Sequence, residues 1–220
     1  MKAAKEPLTI EKIKSAHLRS RDEIRKRLDE FRAVGENGSD EQFWEEMVFC
    51  FFTGGCSARM GLNSVNAVRP LLRTGDQREL AAALTGVHRY PNARSAYIVY
   101  SRNFLSETYG MKIRERLASF ADPHERRDWL VREKGIKGLG YKEASHFLRN
   151  VGYRGYAILD KHVLRSLAEL GFIGDPKPPN TKLTYLRVEE RFRDLTIQAD
   201  INFDELDLVL WSMKTGVILK

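Results

Sequence analysis

Lys142 and Asp160 are the side chains whose types and spacing best suit chemistry. Lys142 closes the run Gly135-Ile-Lys-Gly-Leu-Gly-Tyr-Lys. Gly138 and Gly140 bracket a single leucine, and such a run turns tightly and takes φ > 0 without a Cβ clash. Ala144, Phe147, Leu148 and Val151 then recur at helical spacing, with Gly152 as a stop. Lys142 therefore falls in the first turn of a helix. The positive end of a helix disfavours an ammonium there, and burial disfavours it further. Both effects tip lysine toward the neutral amine, a nucleophile able to form a Schiff base. Asp160 precedes the apolar pair Val163-Leu164 and reads as a helix N-cap or first-turn residue, where a carboxylate is held ionised. Taken singly, each residue has a plain alternative, a solvated surface lysine and an ordinary cap. The glycine turn in register before Lys142 favours chemistry.

The elements that must position this pair can be read outward from it. Asp122-Pro123 starts a helix with proline at its first position. Trp129, Leu130 and Val131 give that helix apolar bulk, and Gly135 ends it. The spacing predicts helix, tight hairpin, helix over residues 123–151. The second helix opens with unpaired backbone N–H groups and a positive dipole end. At Gly138 and Gly140 this is a phosphate site with no sequence preference.

Length and charge bound the rest. The chain has 220 residues and a net charge of +7, with an isoelectric point near 9.4. That size gives one large domain or two small lobes with a proper core. The charge favours a polyanionic partner. Two cysteines, Cys50 and Cys56, exclude a disulfide framework and a four-cysteine cluster. No signal peptide and no 18-residue apolar run is present, which predicts a soluble, intracellular protein.

Taken in order, residues 1–40 carry Ile13, Leu18, Ile24, Leu28 and Phe31 as the stripe of one or two amphipathic helices. Their basic face is either solvated or turned to DNA. Gly35 to Ser39 reads as a loop, with Ser39 or Asp40 capping a helix that is apolar nearly all round, from Phe43 to Phe52. Thr53-Gly54-Gly55-Cys56-Ser57 breaks it. Two shorter helices follow around Pro70 and Gly75-Asp76, then a basic-aromatic loop at 87–94 and a helix carrying Ala96, Ile98, Val99 and Tyr100. Residues 101–121 continue helical with a break at Gly110. After Asp160 a helix runs to Gly171, and residues 175–181 are a proline-rich loop. Leu183 to Ile197 is helical. Asp204 caps the last helix, with Asp207 three residues on, Phe203 packing on Leu208 as a staple, and Trp211 further along. No strand pair is apparent, so the fold class is all-α.

The hairpin with Lys142 in register, followed eighteen residues later by Asp160, resembles the lyase-type members of the helix-hairpin-helix DNA glycosylase superfamily. Together with the short stretch after the last helix, it looks like the type 2, archaeal-type, 8-oxoguanine DNA glycosylases. The resemblance covers most of the chain from about residue 40. It implies two helical lobes, residues 1–40 plus 172–220 forming one and residues 41–171 a barrel-like other, with DNA across the cleft. It implies a monomer acting in the cytoplasm on double-stranded DNA containing 8-oxoguanine. The lesion is flipped out, Lys142 attacks C1′, Asp160 stabilises positive charge on the sugar, and the Schiff base permits β-elimination. No cofactor or metal is implied beyond a monovalent cation on hairpin carbonyls.

Further roles carried by the resemblance are less uniform. His162 stands where relatives place a phosphate contact, or is a solvated helix histidine. The loop at 53–57 either enters the duplex or simply joins two helices. His146, one turn beyond Lys142, falls where relatives pack on the flipped base, although they carry apolar or aromatic residues there. Trp211 is the opposite slice of that sandwich or a core tryptophan. Asp207 accepts from purine N–H groups, and Lys220 helps to recognise the oxidised base. Lys137 replaces the proline usual before the first hairpin glycine. Two rivals remain open: a non-catalytic hairpin DNA-binding module, which leaves Lys142 and Asp160 unexplained, and a pyrimidine-lesion glycosylase/lyase, disfavoured by the missing cysteine cluster.

Overall fold

The computed structural model describes residues 6–220, and among them it holds eleven α-helices and no strand. The chain divides into two compact units. One comprises residues up to Glu30 together with Arg154–Lys220, the other Phe31–Tyr153.

The second unit is built around α2, Asp40–Thr53. Ser39 is its N-cap: the hydroxyl accepts from Gln42 N–H while the Gln42 side chain accepts from Ser39 N–H at 2.8 Å. This reciprocal box satisfies two donors that the helix start leaves open. Phe43, Trp44 and every residue from Glu46 to Thr53 are buried. Each such apolar side chain contributes about 1.5–3 kcal/mol of burial. Around α2 pack α3 (Ala58–Val68), α5 (Pro91–Tyr109), α6 (Ile113–Ala118) and α8 (Tyr141–Asn150). A 3-10 turn at Arg69–Leu71 and α4 (Gln77–Leu84) connect α3 to α5, and α7 (Pro123–Arg132) packs on α8.

The first unit contains α9 (Lys161–Glu169), α10 (Lys182–Ala199) and α11 (Phe203–Thr215), which pack on one another. Asp160 and α9 lie in this unit because α9 buries its apolar face against α10 and α11.

The amphipathic N-terminal segment, expected as one or two helices, is one, α1, Ile10–Asn37. Its buried stripe runs through Ile13, Ala16, Ile24 and Phe31, while Leu18 is exposed. Gly35 is not in a loop but within α1. A Cβ there would lie 2.8 Å from the Val151 carbonyl oxygen, so glycine serves close backbone packing. Gly135 does not end α7, which stops at Arg132 with Glu133 as C-cap. It faces the Phe104 ring, which a Cβ would overlap at 2.1 Å. Asp204 does not cap α11. Asn202 does, accepting from Asp204 N–H at 2.9 Å, while the Asp204 carboxylate accepts from Gly155 N–H. Phe203 packs edge-on against Phe192, with the Arg193 guanidinium over its ring.

Candidate active site

The hairpin belongs to the second unit. Asp122 caps α7 by accepting from His124 N–H, with Pro123 at the first helical position. The chain then turns through Gly138, whose φ of +82° lies in the left-handed region open to glycine. The Tyr97 ring presses on it, 2.6 Å from where a Cβ would stand. Gly140 is the N-cap of α8 in extended conformation and brings no side chain to the first turn. The helix start has a positive dipole end, and the Glu143 carboxylate lies beside Gly140, 3.2 Å from where a Cβ would stand.

Lys142 lies in that first turn, and its side chain is 24% exposed. Its Nζ stands 2.9 Å from the Glu143 carboxylate and 3.5 Å from the Thr53 carbonyl at the end of α2. The lysine that the hairpin places in the first turn of α8 is thus ion-paired with the next residue in the chain. Glu143 is a site residue that the hairpin pattern alone does not single out. Its signal was adjacency to the lysine.

His146 is buried, with its ring edge-on to Phe49 at 5.4 Å and 81°. The imidazole is thus engaged in the packing of α8 on α2. Behind the hairpin, the buried Arg127 donates to the Ser145 hydroxyl at 3.2 Å.

The remaining candidates belong to the first unit. Asp160 is the N-cap of α9: its Oδ1 accepts from His162 N–H at 2.7 Å and Val163 N–H at 2.8 Å. One carboxylate oxygen is thereby fixed to the helix, and Oδ2 is left to meet other groups. Burial pushes the His162 imidazole below the ordinary histidine range, more than the Asp160 carboxylate raises it. A neutral imidazole carries one donor and one acceptor nitrogen.

α11 carries Asp207, which is buried, and Trp211, which is half-buried one turn on. Its first turn is fastened by Glu205, whose carboxylate bonds His17 Nε2 at 2.5 Å and Arg25 Nε at 2.9 Å. Lys220 is half-buried beyond the buried Ile218. Among the described residues no cluster of three or more His, Cys, Asp or Glu side chains could hold a metal ion, and no helix is long and apolar enough to cross a membrane.

Comparison with known proteins bears on this arrangement. The family profile described as 8-oxoguanine DNA glycosylase matches residues 24–201. The 8-oxoguanine DNA glycosylase/AP lyase of Korarchaeum cryptofilum is 38% identical over 92% of this chain and 92% of its own. A crystal structure of the Methanocaldococcus jannaschii 8-oxoguanine glycosylase/lyase in complex with a 15mer DNA containing 8-oxoguanine is 36% identical. It superposes with a TM-score of 0.87 over 96% of this chain and 99% of that one. The 8-oxoguanine DNA glycosylase of Thermotoga maritima superposes with a TM-score of 0.86 at 34% identity, over 96% and 98% of the two chains.

Proposed function

The chain belongs to the 8-oxoguanine DNA glycosylase family, and from that premise we propose that its reaction runs through Lys142 as a Schiff-base nucleophile and Asp160 as the stabilising carboxylate. The protein is a DNA repair enzyme, a glycosylase with AP lyase activity, acting on duplex DNA that contains 8-oxoguanine. We place it in the cytoplasm, with that DNA.

The lesion is unreachable while stacked, so the nucleotide must be flipped out. The exposed start of α8 holds backbone phosphate without reading sequence. Lys142 forms a bond to C1′, and the bond from C1′ to the base breaks with its electron pair leaving on the base, which takes up a proton. Asp160 offsets the positive charge that develops on the sugar. Opening of the sugar gives the Schiff base. Loss of a C2′ proton then breaks the C3′–O bond and releases the 3′ phosphate. We assign Gly138, Gly140 and His162 to phosphate contact, and Asp207, Trp211 and Lys220 to the flipped base. We assign His146, whose ring packs edge-on against Phe49, to the flipped base as well. A monovalent cation, if bound at the hairpin, would be held by backbone carbonyls of the 135–140 turn, since no acidic or histidine cluster is there to take one. The chemistry itself needs no cofactor.

The observation that carries this reading is Lys142 in the first turn of α8, directly behind the hairpin glycines and largely withdrawn from solvent. Incubation with an 8-oxoguanine duplex and borohydride tests it. A covalent protein–DNA adduct is expected, and its absence would remove Lys142 as a Schiff-base nucleophile.

A further inference from the structure

The four residues that lead into Asp160, Tyr156 to Leu159, are buried but form neither helix nor strand. Buried backbone groups outside regular structure must find partners elsewhere. Here two side chains of α10 provide three of them, while the Ile158 carbonyl accepts from Asp160 N–H. The Glu189 carboxylate accepts from Ala157 N–H at 2.9 Å. The Tyr185 hydroxyl donates to the Ala157 carbonyl at 2.7 Å and accepts from Leu159 N–H at 3.4 Å. Tyr185 and Glu189 are four residues apart on one face of α10, and they are 2% and 3% exposed. Just upstream, Gly155 N–H is held by Asp204 at the start of α11.

The Asp160 carboxylate is oriented by its own cap bonds, but those bonds only relate it to α9. Where the cap stands relative to α10 and α11 depends on the packing of α9 against both helices and on the lead-in that joins them. We infer that Tyr185 and Glu189 are positioning residues for Asp160, acting by clamping the Ala157–Leu159 backbone that delivers it. A buried carboxylate is tolerated only where it is hydrogen-bonded, and the Ala157 N–H is one of the groups that Glu189 holds. The inference rests on the reading of Asp160 as the group that stabilises charge on the sugar. Misplacing such a group by an ångström costs up to about 10²-fold in rate.

The test measures single-turnover excision of 8-oxoguanine, cleavage of a preformed abasic site, and thermal melting. The variants are Tyr185→Phe, Glu189→Ala and Glu189→Gln, alone and combined with Asp160→Asn, the combinations followed over long incubations. Tyr185→Phe and Glu189→Ala are expected to slow excision about tenfold or more while abasic-site cleavage, which needs Lys142, stays within a few-fold. Glu189→Gln retains an oxygen that accepts from Ala157 N–H and should recover most of the loss. In the Asp160→Asn background Tyr185→Phe should add nothing. Losses that multiply in that background, or that fall equally on both substrates in step with melting, would overturn the inference and leave a plain core role. A crippled Asp160→Asn enzyme beside an unimpaired Tyr185→Phe enzyme would overturn it alone. An unimpaired Asp160→Asn enzyme would overturn the reading of Asp160 and this inference with it.

Discussion

The Nζ of Lys142 and the carboxylate of Glu143, neighbours in sequence, are 2.9 Å apart, with the Thr53 carbonyl on the lysine's other side at 3.5 Å. Lys142 thus rests as half of an ion pair in the first turn of α8. Replacing Lys142 with Gln removes the amine but leaves a polar side chain of similar reach. DNA affinity is therefore expected to stay within a few-fold, if the hairpin backbone supplies the phosphate contacts as proposed. Borohydride trapping and strand cleavage should disappear. Trapping at the wild-type level in Lys142→Gln would remove the assignment.

The two hairpin glycines are not equivalent. Gly138 has φ of +82°, and an alanine Cβ there would come within 2.6 Å of the Tyr97 ring. The left-handed conformation alone costs a non-glycine residue about 1–2 kcal/mol. Gly140 has φ of −87°, which any residue adopts, and its Cβ would meet only the end of the Glu143 side chain at 3.2 Å. Gly138→Ala should lower the melting temperature and weaken binding to undamaged duplex at low salt, whereas Gly140→Ala should melt close to wild type. Indistinguishable melting curves would contradict the geometry.

The hairpin and the Asp160 cap were legible in the sequence because both are local. Glycine spacing, helical period and a carboxylate before an apolar pair act within one or two turns of chain. What could not be read depends on distant partners. Gly35 suggests a loop, yet it lies inside α1 because the backbone at Val151 leaves no room for a Cβ. Asp204 looks like a cap, but its carboxylate is taken by Gly155, and Asn202 caps instead. Tyr185 and Glu189 read as ordinary members of an amphipathic helix. Their role appears only when residues 26 and 32 positions away in sequence are brought to them. His146 lies one turn from Lys142, but periodicity cannot tell that Phe49 will pack edge-on against its ring.

His88 gives the second unit a pH dependence with a defined sign. It is buried between α4 and α5. Its Nδ1 accepts from Tyr90 N–H at 3.0 Å, which assigns the proton to Nε2, donated to the Phe52 carbonyl at 3.1 Å. Burial lowers its pKa below the ordinary histidine value; the Phe52 carbonyl opposes this and Arg94 reinforces it. Below about pH 6.5 the unfolded chain takes up a proton that the folded ring resists. The stabilisation from the neutral ring is therefore complete above that pH and is lost as pH falls toward the folded value. Between pH 7.5 and 5.0 the wild type should lose more melting temperature than His88→Gln, which cannot titrate. Parallel slopes for the two proteins would show that His88 contributes nothing to acid sensitivity.

Lys220 is half-buried, and the segment that carries it is anchored by the buried Ile218. 8-Oxoguanine differs from guanine by a carbonyl at C8 and a proton on N7. An ammonium has three donors and no acceptor, so a lysine in the pocket would satisfy the C8 carbonyl and would find nothing there on guanine. Leaving one partner of such a buried contact unpaired costs about 1–3 kcal/mol, and about 1.4 kcal/mol is a factor of ten. Lys220→Ala is therefore expected to slow excision of 8-oxoguanine by about tenfold or more. Cleavage of a preformed abasic site, where no base remains to be read, should stay near wild type. Single-turnover rates on the two substrates separate the outcomes. An equal fall on both would indicate disturbed folding of the first unit, and no fall on either would place Lys220 outside base recognition.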